Sequence, residues 1–313
     1  MDIQELRDYI ENNPNLISVK KSDTYPELYI LKYKNKCFHK NIWNCYIETC
    51  RGKVIDKDYN IIVNPFDKIY NYGIELNAPV LNDDEPILAL RKFNGYMAAV
   101  SKYRGEIIVS STGSLDSTYV NLAREMILAR TKKSEYFEGI TTLYEIVHSS
   151  DPHIIPEEEG IYYIGQRDNN VNSKVWYNVT IKFNWMFNKE SFYNSEIDDG
   201  YSCNRNVFVP KVNFTTLGKL KEHVKDVKHE GFVFYTLDGK CAKIKSPYYL
   251  TNKFLVRKSP EKLIDILKAD NYKKYIKEEF YTLCENLKEN IKEFSAMNEQ
   301  DRLQYIRRYF DNI

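Results

Sequence analysis

An amine beside a glycine turn is the first place to look for chemistry in this chain. In LALRKFNGYMAAV, which starts at Leu88, Lys92 stands between an apolar run and Asn94-Gly95. One reading is a hairpin whose turn carries a solvated lysine. The other is a lysine held at the floor of a pocket as a nucleophile. Lys-x-x-Gly recurs as KYRG from Lys102 and KHEG from Lys228, so the pattern alone does not choose. Only at Lys92 does Asn or Asp precede the glycine.

Other charges belong in the same argument. In EGFVFYTLDGKCAKIKSP, Asp238-Gly239 between apolar runs reads as a two-residue hairpin turn. That turn sets Leu237 opposite Lys240, Phe234 opposite Lys243 and Phe232 opposite Lys245. The two-residue period then places Glu230, Phe232, Phe234, Lys243 and Lys245 on one sheet face, with Val233, Ala242 and Ile244 on the other. Such a face is either solvated, with weak cross-strand ion pairs, or a phosphate site in which two lysines grip successive oxygens. In TTLYEIVHSS, Glu145 interrupts an apolar strand, as a sheet-edge or salt-bridged carboxylate or a functional one. Upstream, ETCRGKVID and NPFDKIYNYG each set a base beside a turn, Arg51 and Lys68.

These residues need a scaffold, and the chain can supply one. It has 313 residues, 43% of them hydrophobic, enough for a sizeable core. The net charge of +1 provides no global field toward nucleic acid, so any polyanion site must be local. The run Lys240–Lys258 has six Lys/Arg and no Asp or Glu. Six cysteines lack any C-x-x-C pair, which points to reduced thiols in a cytoplasmic compartment. No stretch reaches membrane-spanning length, so the expectation is a soluble, unexported protein. Richness in Lys, Asn, Ile and Tyr suits an AT-rich, viral-type genome.

Helical spacing appears at residues 2–12, at Ser117–Thr131 and near Thr215–Val227, with strand signals dominating between them to about residue 250. Beyond that the texture changes. Pro260 opens a helix after Ser259, and EKLIDILKAD, NYKKYIKEEFYTLCENLKENIKEF and EQDRLQYIRRYFDNI each read as amphipathic helices. The expected organisation is an α+β body over residues 1–248 and a small all-α domain over 249–313.

The order of segments resembles the covalent nucleotidyltransferases: a lysine in K-x-[DN]-G, a strand with a central Glu, EG before an apolar strand, then K-x-K. The flanks CRGKVID, NPFDKIYNYG, SSTGSL and YEIV narrow the resemblance to the T-even phage RNA ligase 1 family, over about residues 40–250. A helical tail after the K-x-K also fits that family. The resemblance implies a ligase domain of antiparallel sheets with flanking helices (ATP-grasp-like). It implies Lys92 as the nucleophile, with Asn94 and Gly95 beside it at the nucleotide. Glu145 would contact the ribose and Glu230 a metal. Lys243 and Lys245 would lie at the α-phosphate, and Arg51 and Lys68 at the outer ATP phosphates. Tyr163, in IYYIGQRD, is a candidate for the nucleobase pocket.

Two positions depart from the phage pattern. Asn94 stands where Asp is usual, as in the ligase domain of fungal tRNA ligases. Thr112 in SSTGSL stands where a lysine is expected. The implied activity is ATP- and Mg2+-dependent joining of RNA 3′-OH and 5′-phosphate ends through lysyl-AMP, in RNA or tRNA repair. An end-healing kinase or phosphatase would be a separate partner, since no P-loop is present. Tyr248, Tyr249 and the bases of Lys240–Lys258 form a candidate RNA path, or else the tyrosines pack an interdomain joint. The alternatives are a non-catalytic RNA-binding protein on a ligase scaffold, or a nucleotidyltransferase that takes DNA ends or GTP.

Overall fold

The computed structural model describes residues 2–151, 154–170, 172–173, 196–204, 207–256, 260–269 and 271–312. The strands are β1 (Ile17–Lys21), β2 (Leu28–Tyr33), β3 (Arg51–Asp56), β4 (Ile61–Val63), β5 (Tyr70–Asn71), β6 (Pro86–Lys92), β7 (Tyr96–Tyr103) and β8 (Glu106–Ser111). They continue with β9 (Ile140–Val147), β10 (Gly160–Asp168), β11 (Tyr201–Asn204), β12 (Val207–Pro210), β13 (Val212–Thr216), β14 (Gly231–Thr236) and β15 (Cys241–Lys245). Among the described residues they form three sheets, ordered β1-β2-β3-β4, β11-β12-β10-β9-β7-β8 and β13-β6-β14-β15-β5. The fold is α+β, as expected. The pairs are antiparallel except β10 with β12 and β15 with β5, which run parallel.

Each large sheet buries one face under a helix. Helix Thr118–Arg130, capped by Ser117 accepting from the Val120 N–H, lays Val120, Ala123 and Ile127 on Ala98, Val100, Tyr144 and Ile146. Helix Leu217–Asp226 sets Leu217, Leu220 and Val224 against Phe232, Phe234, Ala242 and Ile244 of the five-stranded sheet. The other face of the six-stranded sheet packs Met97, Ala99 and Leu143 onto Leu28, Ile30 and Val54 of the first sheet.

The Asn94-Gly95 step is not a hairpin turn. Strand β6 lies in the five-stranded sheet and β7 in the six-stranded one, so KFNG is a crossover between sheets. Phe93, 1% exposed, anchors it with its ring 4.1 Å from that of Tyr162. Gly95 is required by close approach, since a Cβ there would come 2.3 Å from the Ile146 carbonyl oxygen.

The Asp238-Gly239 hairpin exists, but its register is one residue from expectation. Thr236 pairs across to Lys240 through N–H···O at 3.0 Å, closing a three-residue loop with Gly239 at φ 81°. Val233 therefore faces Lys243 and Gly231 faces Lys245, while Phe232 and Phe234 turn into the core with Ala242 and Ile244. Glu230 nevertheless reaches the lysine face. Gly231 at φ 129° interrupts the alternation and swings it there.

The C-terminal helices Pro247–Val256, Pro260–Lys268, Tyr281–Glu289, Ile291–Ala296 and Glu299–Asp311 share one core, with Leu250, Phe254, Leu263, Leu283 and Phe310 in it. NYKKYIKEEFYTLCENLKENIKEF is not one helix. Two 3-10 turns, Tyr272–Lys274 and Glu278–Phe280, precede Tyr281–Glu289. The second turn points carboxylates back at the body.

Candidate active site

Lys92 ends β6 at the junction of the two large sheets. Its Nζ lies 2.9 Å from Glu230 Oε2 and 3.8 Å from Glu145 Oε1. The Gly95 N–H donates to that Glu145 oxygen at 3.2 Å, so the crossover loop itself holds the carboxylate. Glu230 Oε1 is 3.6 Å from Lys245 Nζ. Both carboxylates are buried. Lys102 and Lys228, the other Lys-x-x-Gly residues, are on no such site: Lys102 lies in the β7–β8 hairpin, and Lys228 precedes β14.

Asn94 is buried and donates from Nδ2 to the Ile155 carbonyl at 3.3 Å. It therefore acts as a donor that a carboxylate could not replace.

Burial disfavours the charge on Lys92, but Glu230 and then Glu145 outweigh it and raise its pKa above the ordinary lysine value. The free protein therefore favours Lys92 as an ammonium. Glu145 moves up through burial, against the pull of Lys92. Glu230 moves down, because Lys92 and Lys245 outweigh its burial.

Further cations come from β15 and from the elements around it. Lys243 is brought down to about 7, chiefly by burial and then by the charge of Lys245. Lys245 is raised despite burial, by Glu279 and Glu230. Lys253, on helix Pro247–Val256, also pairs with Glu279 and is lowered to about 8, chiefly by burial and then by Lys245. Lys68 sits in an aromatic box, 4.8, 4.4 and 4.6 Å from the ring centroids of Phe38, Trp43 and Tyr70, and pairs with Glu75 at 2.7 Å. Arg51 Nη1 stands 3.9 Å from Met97 Sδ, opposite Glu145 in register, and its charge favours the Glu145 carboxylate.

One expectation is corrected, and between two open readings one is chosen. Tyr163 pairs in register with Tyr144 and packs under helix Thr118–Arg130, on the sheet face away from Glu145. Its neighbour Tyr162 pairs with Glu145 and packs on Phe93 instead. Tyr249, 4% exposed, belongs to the tail core and not to an open RNA path, while Tyr248 is 38% exposed. Arg257 and Lys258 of that path lie outside the described residues. Near Thr112, a cation does come from elsewhere: a Cβ on Gly113 would stand 3.1 Å from Lys32 Nζ.

Sequence reasoning missed Lys253 and Glu279. Lys253 falls inside the acid-free run already noted, which was a usable signal. Glu279 had none, because only the 3-10 turn brings it to the site.

A family model described as RNA ligase, of the T4 RNA ligase 1 type, matches residues 49–254. The chain belongs to this family. It is an RNA ligase by that membership, and the match spans every residue from Arg51 to Lys253 discussed above. No curated protein matches the chain. Among solved structures, it is similar to an archaeal ATP-dependent RNA ligase at 11% identity and TM-score 0.55, covering 98% of this chain and 77% of that one. A putative ATP-dependent DNA ligase from Aquifex aeolicus aligns at 15% identity and TM-score 0.54, with coverage of 98% and 77%. At such identities these likenesses show the fold.

Among the described residues no group of three or more His, Cys, Asp or Glu gathers as a metal cluster. Glu230 offers one buried carboxylate, which fits a hard cation that keeps several waters and shares phosphate oxygens. Also among the described residues, no helix is long and apolar enough to cross a membrane. All six cysteines are free.

Proposed function

We propose that this RNA ligase is ATP-dependent and seals RNA 3′-OH and 5′-phosphate ends through Lys92. The observation that supports the reading is the position of the Lys92 amine, between two buried carboxylates and beside the lysines of β15. In the first step the Lys92 lone pair forms an N–P bond to the α-phosphorus of ATP. The bond to pyrophosphate breaks, and the amine loses a proton. The AMP then moves to an RNA 5′-phosphate, freeing Lys92. The 3′-hydroxyl attacks that activated phosphate, and AMP leaves.

The ammonium held in the free protein must lose its proton first. Glu230 is the main group keeping it charged, and Lys245 already acts in the opposite direction. Drawing Glu230 away from Lys92 therefore primes the nucleophile. Mg2+, when bound by Glu230, would supply that charge neutralisation together with phosphate binding. Lys243 and Lys245 stabilise charge on the transferring phosphoryl group, and Arg51 and Lys68 hold the outer phosphates. Glu145 orients the sugar.

The same reading divides the chain at residue 248 and gives the helical unit 249–313 the recognition of folded RNA such as a broken tRNA. A separate kinase and phosphatase would heal the ends, in a cytoplasmic compartment. The test is sealing of a nicked or single-stranded RNA with 5′-phosphate and 3′-OH ends. We expect joining with ATP and Mg2+, none in Lys92→Ala, and none on DNA ends or with GTP. RNA binding without adenylylation would favour the non-catalytic scaffold.

A further inference from the structure

Glu279 comes from the second 3-10 turn of the tail and lies between Lys245 of β15 and Lys253 of helix Pro247–Val256. Its Oε2 pairs with Lys245 and its Oε1 with Lys253. The three side chains are buried, with Glu279, Lys245 and Lys253 only 5%, 6% and 14% exposed. Both ammonium groups lie 5.2 Å from the Tyr249 ring centroid. Two buried like charges this near each other need an anion between them. A carboxylate that gives one oxygen to each lysine has the reach of two oxygens of one phosphate.

Glu278, the preceding residue, sets Oε1 3.7 Å from Lys68 Nζ. Consecutive carboxylates of one turn thus engage cations on both sides of the site. A cavity of about 580 Å³ opens beside them, lined by Lys243, Lys245, Lys253, Lys274 and Glu279 among others. That is room for a polyphosphate.

We propose that Lys253 is a further phosphate-binding residue of this site, and that Glu279 holds, in the free protein, the place between Lys245 and Lys253 taken by phosphate oxygens of a bound nucleotide. This rests on the nucleotide reading above. Nucleotide binding and the anchoring of the Glu278–Phe280 turn then compete for the same lysines.

The test uses the full chain, wild type, Lys253→Met and Glu279→Gln. Two quantities are measured: the ATP concentration giving half-maximal adenylylation, and the Kd of inorganic pyrophosphate by calorimetry. Lys253→Met keeps the stem packed and should raise both by about tenfold, the scale of one charge-assisted hydrogen bond. Glu279→Gln weakens the competitor and should lower both. Unchanged values in both variants, with melting temperatures like wild type, would overturn the proposal. So would weaker binding in a folded Glu279→Gln protein, which is the signature of a mere brace. If Glu279→Gln loosens the tail, Lys253→Met decides alone. A wild type that never takes up AMP would sink the nucleotide reading, and pyrophosphate binding would still decide the Lys253 assignment.

Discussion

Lys92 Nζ and Glu230 Oε2 meet at 2.9 Å across 138 residues of sequence. The contact couples the end of one strand to the start of its neighbour, since Lys92 pairs in register with Gly231. It also fixes the protonation of the amine. The free protein favours Lys92 as an ammonium, and on the proposed reading binding of the reactants must release that proton.

Removing Glu230 should expose the cost of that pairing. Glu230→Ala leaves Lys92 and Lys245 facing each other without their shared carboxylate, at a cost of about 3 kcal/mol. Glu230→Gln keeps a hydrogen-bond acceptor and should cost about 1 kcal/mol. Urea unfolding of both variants checks this, and equal losses would contradict it.

The glycine that aims Glu230 should tolerate no side chain. A Cβ at Gly231 would stand 2.1 Å from the Ile244 carbonyl oxygen, at φ 129°. Gly231→Ala should cost about 3 kcal/mol or more. Gly105 has positive φ too, but open space around it, so Gly105→Ala should cost about 1 kcal/mol. Thermal melts of the two variants give the comparison.

Restoring the acid of the phage pattern should not help this chain. Asn94→Asp removes the donor to the Ile155 carbonyl and buries a charge beside it. We expect a loss of about 2 kcal/mol and slower adenylylation. A faster or more stable Asn94→Asp protein would show that the amide is not used as a donor.

Lys243 gives a pH signature. Its pKa of about 7, against an ordinary 10.5, means that the folded free protein releases this proton as pH rises through 7, while the unfolded chain keeps it up to 10.5. Stability from this group is therefore present above 10.5 and lost as pH falls through 7. A bound phosphate needs the charged form. ATP should bind more weakly at pH 8 than at pH 6, with proton uptake at pH 8. Calorimetry in two buffers of different ionisation enthalpy reads that uptake. Its persistence in Lys243→Met would contradict the assignment.

Much of the site was legible because its charges interrupt apolar strands. Lys92 and Glu145 stood out that way, Glu230 and Lys245 through the hairpin they flank, and the structure brings them together. Their faces were less legible. The Asp238-Gly239 loop holds three residues, because Gly239 adopts a left-handed conformation, and that one residue reversed the expected face of Phe232 and Phe234. Gly231 then restored Glu230 to the lysines, so the correct gathering followed from a wrong register. Tyr163 was misplaced by one residue, since adjacent strand positions point to opposite faces. Asn94-Gly95 has the composition of a hairpin turn, and only sheet membership shows that it joins two sheets. Glu279 was invisible because no local pattern marks which helix in a tail is broken by a 3-10 turn.

The most direct measurement is the intact mass of the full chain after incubation with ATP and Mg2+, following clearance of any bound AMP with pyrophosphate. The account predicts the gain of one AMP, absent in Lys92→Ala and not replaced by GMP when GTP is supplied. Retention of the AMP adduct in Lys92→Ala, or no adduct on a folded wild-type protein, would contradict it.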